Sequence, residues 1–131
     1  MNVNDGISGI INHNGEVIQI KLDINYPKIS GFIKNLKNLV FEIDYAEFGN
    51  VLRIYLIKVY TKENEELGTK AIAYFEDWGR KAGFKKIVGE LVDCRDSSNP
   101  VKLKNFYLKN QYCIEDTDDD YIYANISKSL I

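Results

Sequence analysis

Residues 52–91 read LRIYLIKVYTKENEELGTKAIAYFEDWGRKAGFKKIVGEL. The stretch opens on a nearly continuous apolar run, rich in β-branched and aromatic residues, of the kind a central strand carries. Ala71, Phe75, Trp78 and Ala82 then fall at helical spacing, with Lys70, Glu76, Asp77, Arg80 and Lys81 at the polar positions between them. Gly83 suits the left-handed residue just past a helix, and Phe84 is placed to pack back on it. KKIVGELVD, residues 85–93, is a second strand. Strand, tight turn, helix and strand in this order make a βαβ unit with a right-handed crossover.

The flanks extend that unit. Downstream, Asn99 and Pro100 are an N-cap and a first helical residue, and Leu103, Phe106 and Asn110 mark the face of the helix they open. YCIE (112–115), the acidic turn DTDDD (116–120) and YIYANISKSLI (121–131) read as two antiparallel strands. Upstream, VFEIDYAEF (40–48) and VLRIYLIKVY (51–60) flank a Gly49-Asn50 turn. Two further β-prone runs in ISGIINHNGEVIQIKLDI (7–24) flank Asn14-Gly15, a dipeptide suited to a tight hairpin. Between these blocks, KISGFIKNLKNL (28–39) follows Pro27 and spaces Ile29, Phe32, Ile33 and Leu36 at helical intervals, which predicts a helix over 28–39.

Composition narrows the function classes. The 131 residues suffice for one domain, 1–131, with 45% hydrophobic and 27% charged residues. A net charge of −2 and a pI near 5.4 argue against a broadly basic nucleic-acid surface. No apolar run is long enough for a bilayer, and MNVNDGISG has no signal-peptide character, so a cytoplasmic protein without a membrane partner is expected. Cys94 and Cys113 lack paired ligand spacing and read as buried free thiols rather than zinc ligands. Asp116, Asp118, Asp119 and Asp120 lack the central glycine and distal glutamate of a calcium loop, so no metal is expected. The lone histidine, His13, is expected in a solvated hairpin tip.

Residues 51–131 resemble the GNAT family of N-acetyltransferases. LRIYLIKVYTKENEELGTKAIAYFEDWGRKAGFKKIVGEL looks like the family's strand, pyrophosphate loop, helix and strand. SSNPVKLKNFYLKNQY (97–112) looks like its next helix, N-P-x-x-L-x-x-F-Y-x-K-x-G-F. The resemblance implies an α+β fold: a twisted, splayed mixed β-sheet flanked by helices on both faces. It also implies acetyl-CoA as cosubstrate, lying between the strands near 52–60 and 86–92. Main-chain groups of Ile57, Val59 and Tyr60 would hold the pantetheine arm. The diphosphate would rest on backbone N–H groups at the helix start, Glu66, Leu67, Gly68, Thr69 and Lys70, where the helix dipole favours anions. Against the family loop Q/R-x-x-G-x-G/A, Glu63 replaces the Gln/Arg and Glu66 the first glycine, while Gly68 keeps the last. Each nearby carboxylate would repel a diphosphate by roughly 1 kcal/mol in a solvated setting. Lys62, Lys70, Lys102 and Lys104 would offset part of that. Taken alone, the glutamates are also what any helix N-terminus favours.

By the same resemblance Asn99 contacts the pantetheine arm or caps the helix, and Tyr107 protonates the departing thiolate. The residues alone read as a cap and a helix-face aromatic. Where the family has Gly-Phe the chain has Gln111-Tyr112, so Asn110 is the candidate for the left-handed position. A carboxylate base is sought among Glu42, Asp44, Glu47 and Glu90, and no spacing selects one. The implied activity is acetyl transfer to an amine, carried on a small molecule or a peptide; a homodimer is allowed. The alternative is a catalytically inactive GNAT-fold interaction module with weak or no CoA binding.

Overall fold

The computed structural model describes residues 7–23, 27–33, 38–60, 64–92, 100–118 and 122–131. Eight strands and two helices follow in the order β1 (Ile7–His13), β2 (Glu16–Asp23), β3 (Lys28–Ile33), β4 (Asn38–Phe48), β5 (Val51–Val59), α1 (Asn64–Lys81), β6 (Lys86–Val92), α2 (Pro100–Lys109), β7 (Cys113–Asp116) and β8 (Ile122–Ser129). They form one sheet in the order β1-β2-β3-β4-β5-β6-β8-β7, in which β5 and β6 are parallel and every other neighbouring pair is antiparallel. The sheet is mixed and the class α+β, as the βαβ reading required.

Local chemistry sets the turns. Asn14 and Gly15 take φ angles of 52° and 81°, so the β1–β2 hairpin closes on the pair that tolerates them. Helix α1 ends on Gly83, with φ 94°, and the Phe84 N–H returns to the Gly79 carbonyl at 2.9 Å. The Phe84 ring then lies 5.9 Å from that of Trp78. Helix α2 ends in the same way, but Gln111 (φ 69°), not Asn110, is the left-handed residue. Asn110 instead turns its side-chain amide back to the Phe106 carbonyl at 2.8 Å.

The helix expected over 28–39 is not there. Lys28–Ile33 is strand β3, paired on both edges, and Asn38 already belongs to β4; residues 34–37 lie outside the described residues. The reason is tertiary. Gly31 faces Phe41 across the sheet so closely that a Cβ there would stand 2.1 Å from the Phe41 ring. A helix over this segment would also leave β2 and β4 without the ladder partner their backbone groups require.

Side-chain parity shows that both helices share one face. Ile43, Tyr45, Leu52, Ile54, Ile87 and Ile126 point to it and are buried. Helix α1 covers them with Leu67, Ala71, Ile72 and Phe75, and the rings of Phe75 and Trp78 each lie 5.3 Å from that of Tyr45. Helix α2 packs beside α1: a Cβ at Gly68 would stand 3.1 Å from the Phe106 ring. Among the described residues the second face carries no helix.

A buried charge network joins the helices to the sheet. Glu76 accepts from Lys128 Nζ at 2.9 Å and from the Tyr112 hydroxyl at 2.9 Å, and Lys128 also donates to the Asn110 carbonyl at 2.9 Å. Burial first, then the Glu76 charge, pushes the Tyr112 phenol far above its ordinary range.

Candidate active site at the β5–β6 splay

Strands β5 and β6 pair through only four positions, from Val51 opposite Lys86 to Ile54 opposite Gly89. Both continue beyond, β5 to Val59 and β6 to Val92, without further pairing to each other. The separation begins at a bulge. Tyr45 opposes Ile54 while Asp44 opposes Leu56, so Tyr55 is an extra residue that bends β5 toward β4. Past the bulge the Tyr60 N–H donates to the Val40 carbonyl at 2.8 Å. Main-chain groups alternate sides along an antiparallel strand. Tyr60 and Lys58 therefore address β4, while Ile57 and Val59 turn their N–H and C=O groups into the gap. The Tyr60 donor is thus already used within the sheet.

The start of α1 lies over the far end of this gap, since a Cβ at Gly68 would meet Val59 at 3.6 Å as well as Phe106. Its first-turn N–H groups have no carbonyl within the helix, as at any helix start. Leu67 and Gly68 are buried inward, and the Thr69 hydroxyl accepts from Asn110 Nδ2 at 3.4 Å. Glu66 is 64% exposed and turned toward the β1–β2 hairpin, 3.6 Å from Lys70 and 4.0 Å from His13. Lys70 is held there too, donating to the Asn12 carbonyl at 2.9 Å. The Glu66 carboxylate is thus balanced by a neighbouring cation. His13 is not solvated as expected: its side chain is 10% exposed, packed between hairpin and helix.

The remaining candidates divide between the faces. Tyr107, 4% exposed, lies on the helix side, edge-on to Phe106 and Tyr112. Glu90, the first β6 residue past the last β5–β6 pair, lies on the open side and forms an ion pair with Arg53. Glu42 is on the open side but opposite Lys58, about 13 Å along β5 from Ile54. It accepts from the Tyr60 hydroxyl at 2.6 Å and from Lys28 at 3.2 Å. The Tyr60 hydrogen bond, helped by Lys28, holds the Glu42 carboxyl below the ordinary carboxylate range. The splay therefore brings Glu90, Ile57 and Val59 together with the start of α1, and leaves Glu42 aside. Asp44 pairs with Lys28 at 3.5 Å. Lys102 is exposed on α2, and Lys104 pairs with Asp116 at 2.6 Å. Lys62, Glu63, Cys94, Asn99, Asp119 and Asp120 lie outside the described residues. Cys113 is exposed rather than buried, and the described residues contain no cluster suited to a metal.

No family model matches the sequence, and no curated protein matches it. Solved structures do. The PaiA N-acetyltransferase from Thermoplasma acidophilum, solved in complex with coenzyme A, is similar at 21% identity and a TM-score of 0.59, over 78% of this chain and 59% of that one. An acetyltransferase of the GNAT family from Staphylococcus aureus Mu50 is similar at 14% identity and a TM-score of 0.63, over 82% of this chain and 71% of that one. The chain has the GNAT fold. Nourseothricin acetyltransferase is similar as well, at 9% identity and a TM-score of 0.63, over 97% of this chain and 85% of that one. At these identities the likeness is one of fold. The chain spans 59% of the length of the Thermoplasma protein.

Two features escaped the sequence. Nothing in VLRIYLIKVY marks Tyr55 as the bulge residue. Glu76 did leave a signal, since it stands four residues after Ile72 on the buried stripe of α1.

Proposed function

We propose that this protein is an acetyl-CoA-dependent N-acetyltransferase whose cosubstrate lies in the β5–β6 splay. The observation that carries the reading is the parting of the two strands after Ile54 and Gly89, with the main-chain edge of Ile57 and Val59 facing the gap and the start of α1 at its end. Likeness to a structure solved with coenzyme A supports it. The first-turn N–H groups of α1 fit a diphosphate, and Lys70 beside Glu66 lessens the repulsion there.

In the reaction the amine nitrogen attacks the thioester carbonyl, forming the C–N bond, and the C–S bond breaks. Glu90, at the apex of the splay, takes the amine proton through water. Main-chain N–H groups of β5 stabilise the oxyanion. Tyr107, whose α2 neighbour Phe106 packs on Gly68, returns a proton to the thiolate. Calorimetric titration with acetyl-CoA tests the reading, alongside Glu66→Gly. Micromolar binding by the native protein is expected, tightened at most about fivefold in the variant, since Lys70 already offsets part of the roughly 1 kcal/mol of repulsion. Absence of binding in both overturns it and leaves the interaction module.

A further inference from the structure

The open face of the sheet holds a cavity of about 460 Å³ beside the apex of the splay. That volume suits a small molecule. Strand register arranges its lining in rows. Arg53, Val88, Ser127 and Cys113 align across β5, β6, β8 and β7. One step toward the splay, Glu90, Asn125 and Glu115 align across three strands. One step the other way stands Lys86.

The charges of these rows do not cancel locally. Arg53 and Glu90 neutralise each other, with the guanidinium 5.7 Å above the Tyr55 ring. Glu115 and Lys86 have no partner among the described residues, and they stand at opposite ends of the trough. Four residue steps along β6 separate the Lys86 row from the Glu90 row, about 13 Å between α-carbons. The Lys86 side chain leans across part of that distance. An extended peptide of two or three residues, at roughly 3.5 Å per residue, spans the rest.

We infer that this trough binds a short peptide free at both termini, its ammonium against Glu115, Asn125 and Glu90 and its carboxylate at Lys86. Val88 floors the middle of the site and accepts its apolar part. A diamine fits less well, because its second ammonium meets Lys86 instead of a carboxylate. The inference rests on the acetyltransferase reading only where it makes this peptide the acceptor: the ammonium end is the one beside the splay.

Backbone amide shifts, read by NMR on the isotope-labelled full chain, test the trough without requiring turnover. Triglycine is expected to move resonances within 86–90, 113–115 and 125–127. Triglycinamide, and triglycine added to Lys86→Met, are each expected to bind about fivefold more weakly, since each loses the same terminal ion pair. Spermidine binding as tightly as triglycine at these amides, or triglycine leaving them unmoved, overturns the inference. Acetyl-CoA, titrated separately, reads out at 57–59 and 64–70. A failure confined to that titration overturns the acetyltransferase reading and leaves the peptide site standing.

Discussion

The two faces of this sheet are built on opposite terms. On the covered face Phe41, Ile43, Leu52, Phe75 and Ile87 are fully buried, and the ion pair Glu76–Lys128 is enclosed there with Tyr112. On the open face Tyr55 and Leu56 are 57% and 42% exposed, and charges meet at the rim in Lys28–Glu42, Lys28–Asp44 and Arg53–Glu90. Charge on the first face is enclosed and ties helix to sheet; charge on the second is paired at the rim, within reach of solvent. The same strand, β5, serves both, and its bulge marks where one use gives way to the other.

That division is most exposed to test at Lys128. Replacing it with Met leaves Glu76 buried without its cation, which costs about 3–5 kcal/mol. Urea unfolding is expected to show this loss, and a change below 1 kcal/mol would mean that water reaches the pair and the covered face is less closed than described. Second comes the rim. The Glu42 carboxyl is depressed below its ordinary 4.5, so its stabilising contribution is present above that pH and lost as pH falls through the lower folded value. Glu42→Gln is expected to cost at most about 1 kcal/mol at pH 7 and to flatten the acid limb of the stability profile. The smallest effect belongs to the exposed apolar pair: Tyr55→Ser and Leu56→Ser are each expected within about 0.5 kcal/mol of the native protein. A larger loss at either would reveal packing on the open face and break the comparison.

How far the sequence foretold this depends on where each decision is made. The βαβ unit was legible because helix α1 declares itself over many residues and stops on Gly83, a signal complete within the segment. The Asn14-Gly15 hairpin was legible for the same reason. Lys28–Ile33 was not, because so short an apolar run fits helix or strand alike. Its state is decided by Phe41, which needs the space beside Gly31, and by two strands that need a partner. At the site, Ile57 and Val59 follow from strand parity once β5 is placed. By the same parity position 60 addresses β4. That Glu90 lies at the gap and Glu42 away from it could not be read from spacing, because it depends on where the β5–β6 ladder stops.

That short ladder has a mechanical consequence. Five antiparallel strands, β1 to β5, form one plate, and β6, β8 and β7 form another; four backbone pairs are the seam between them. The helices lie across the seam on one side only, which leaves the plates joined on the other like a book bound along a short spine. A molecule lodged in the gap would act as a clasp between the two boards. Ligand binding should then damp opening of the seam itself, and amides along Leu52–Ile54 and Ile87–Gly89 are where that damping would register.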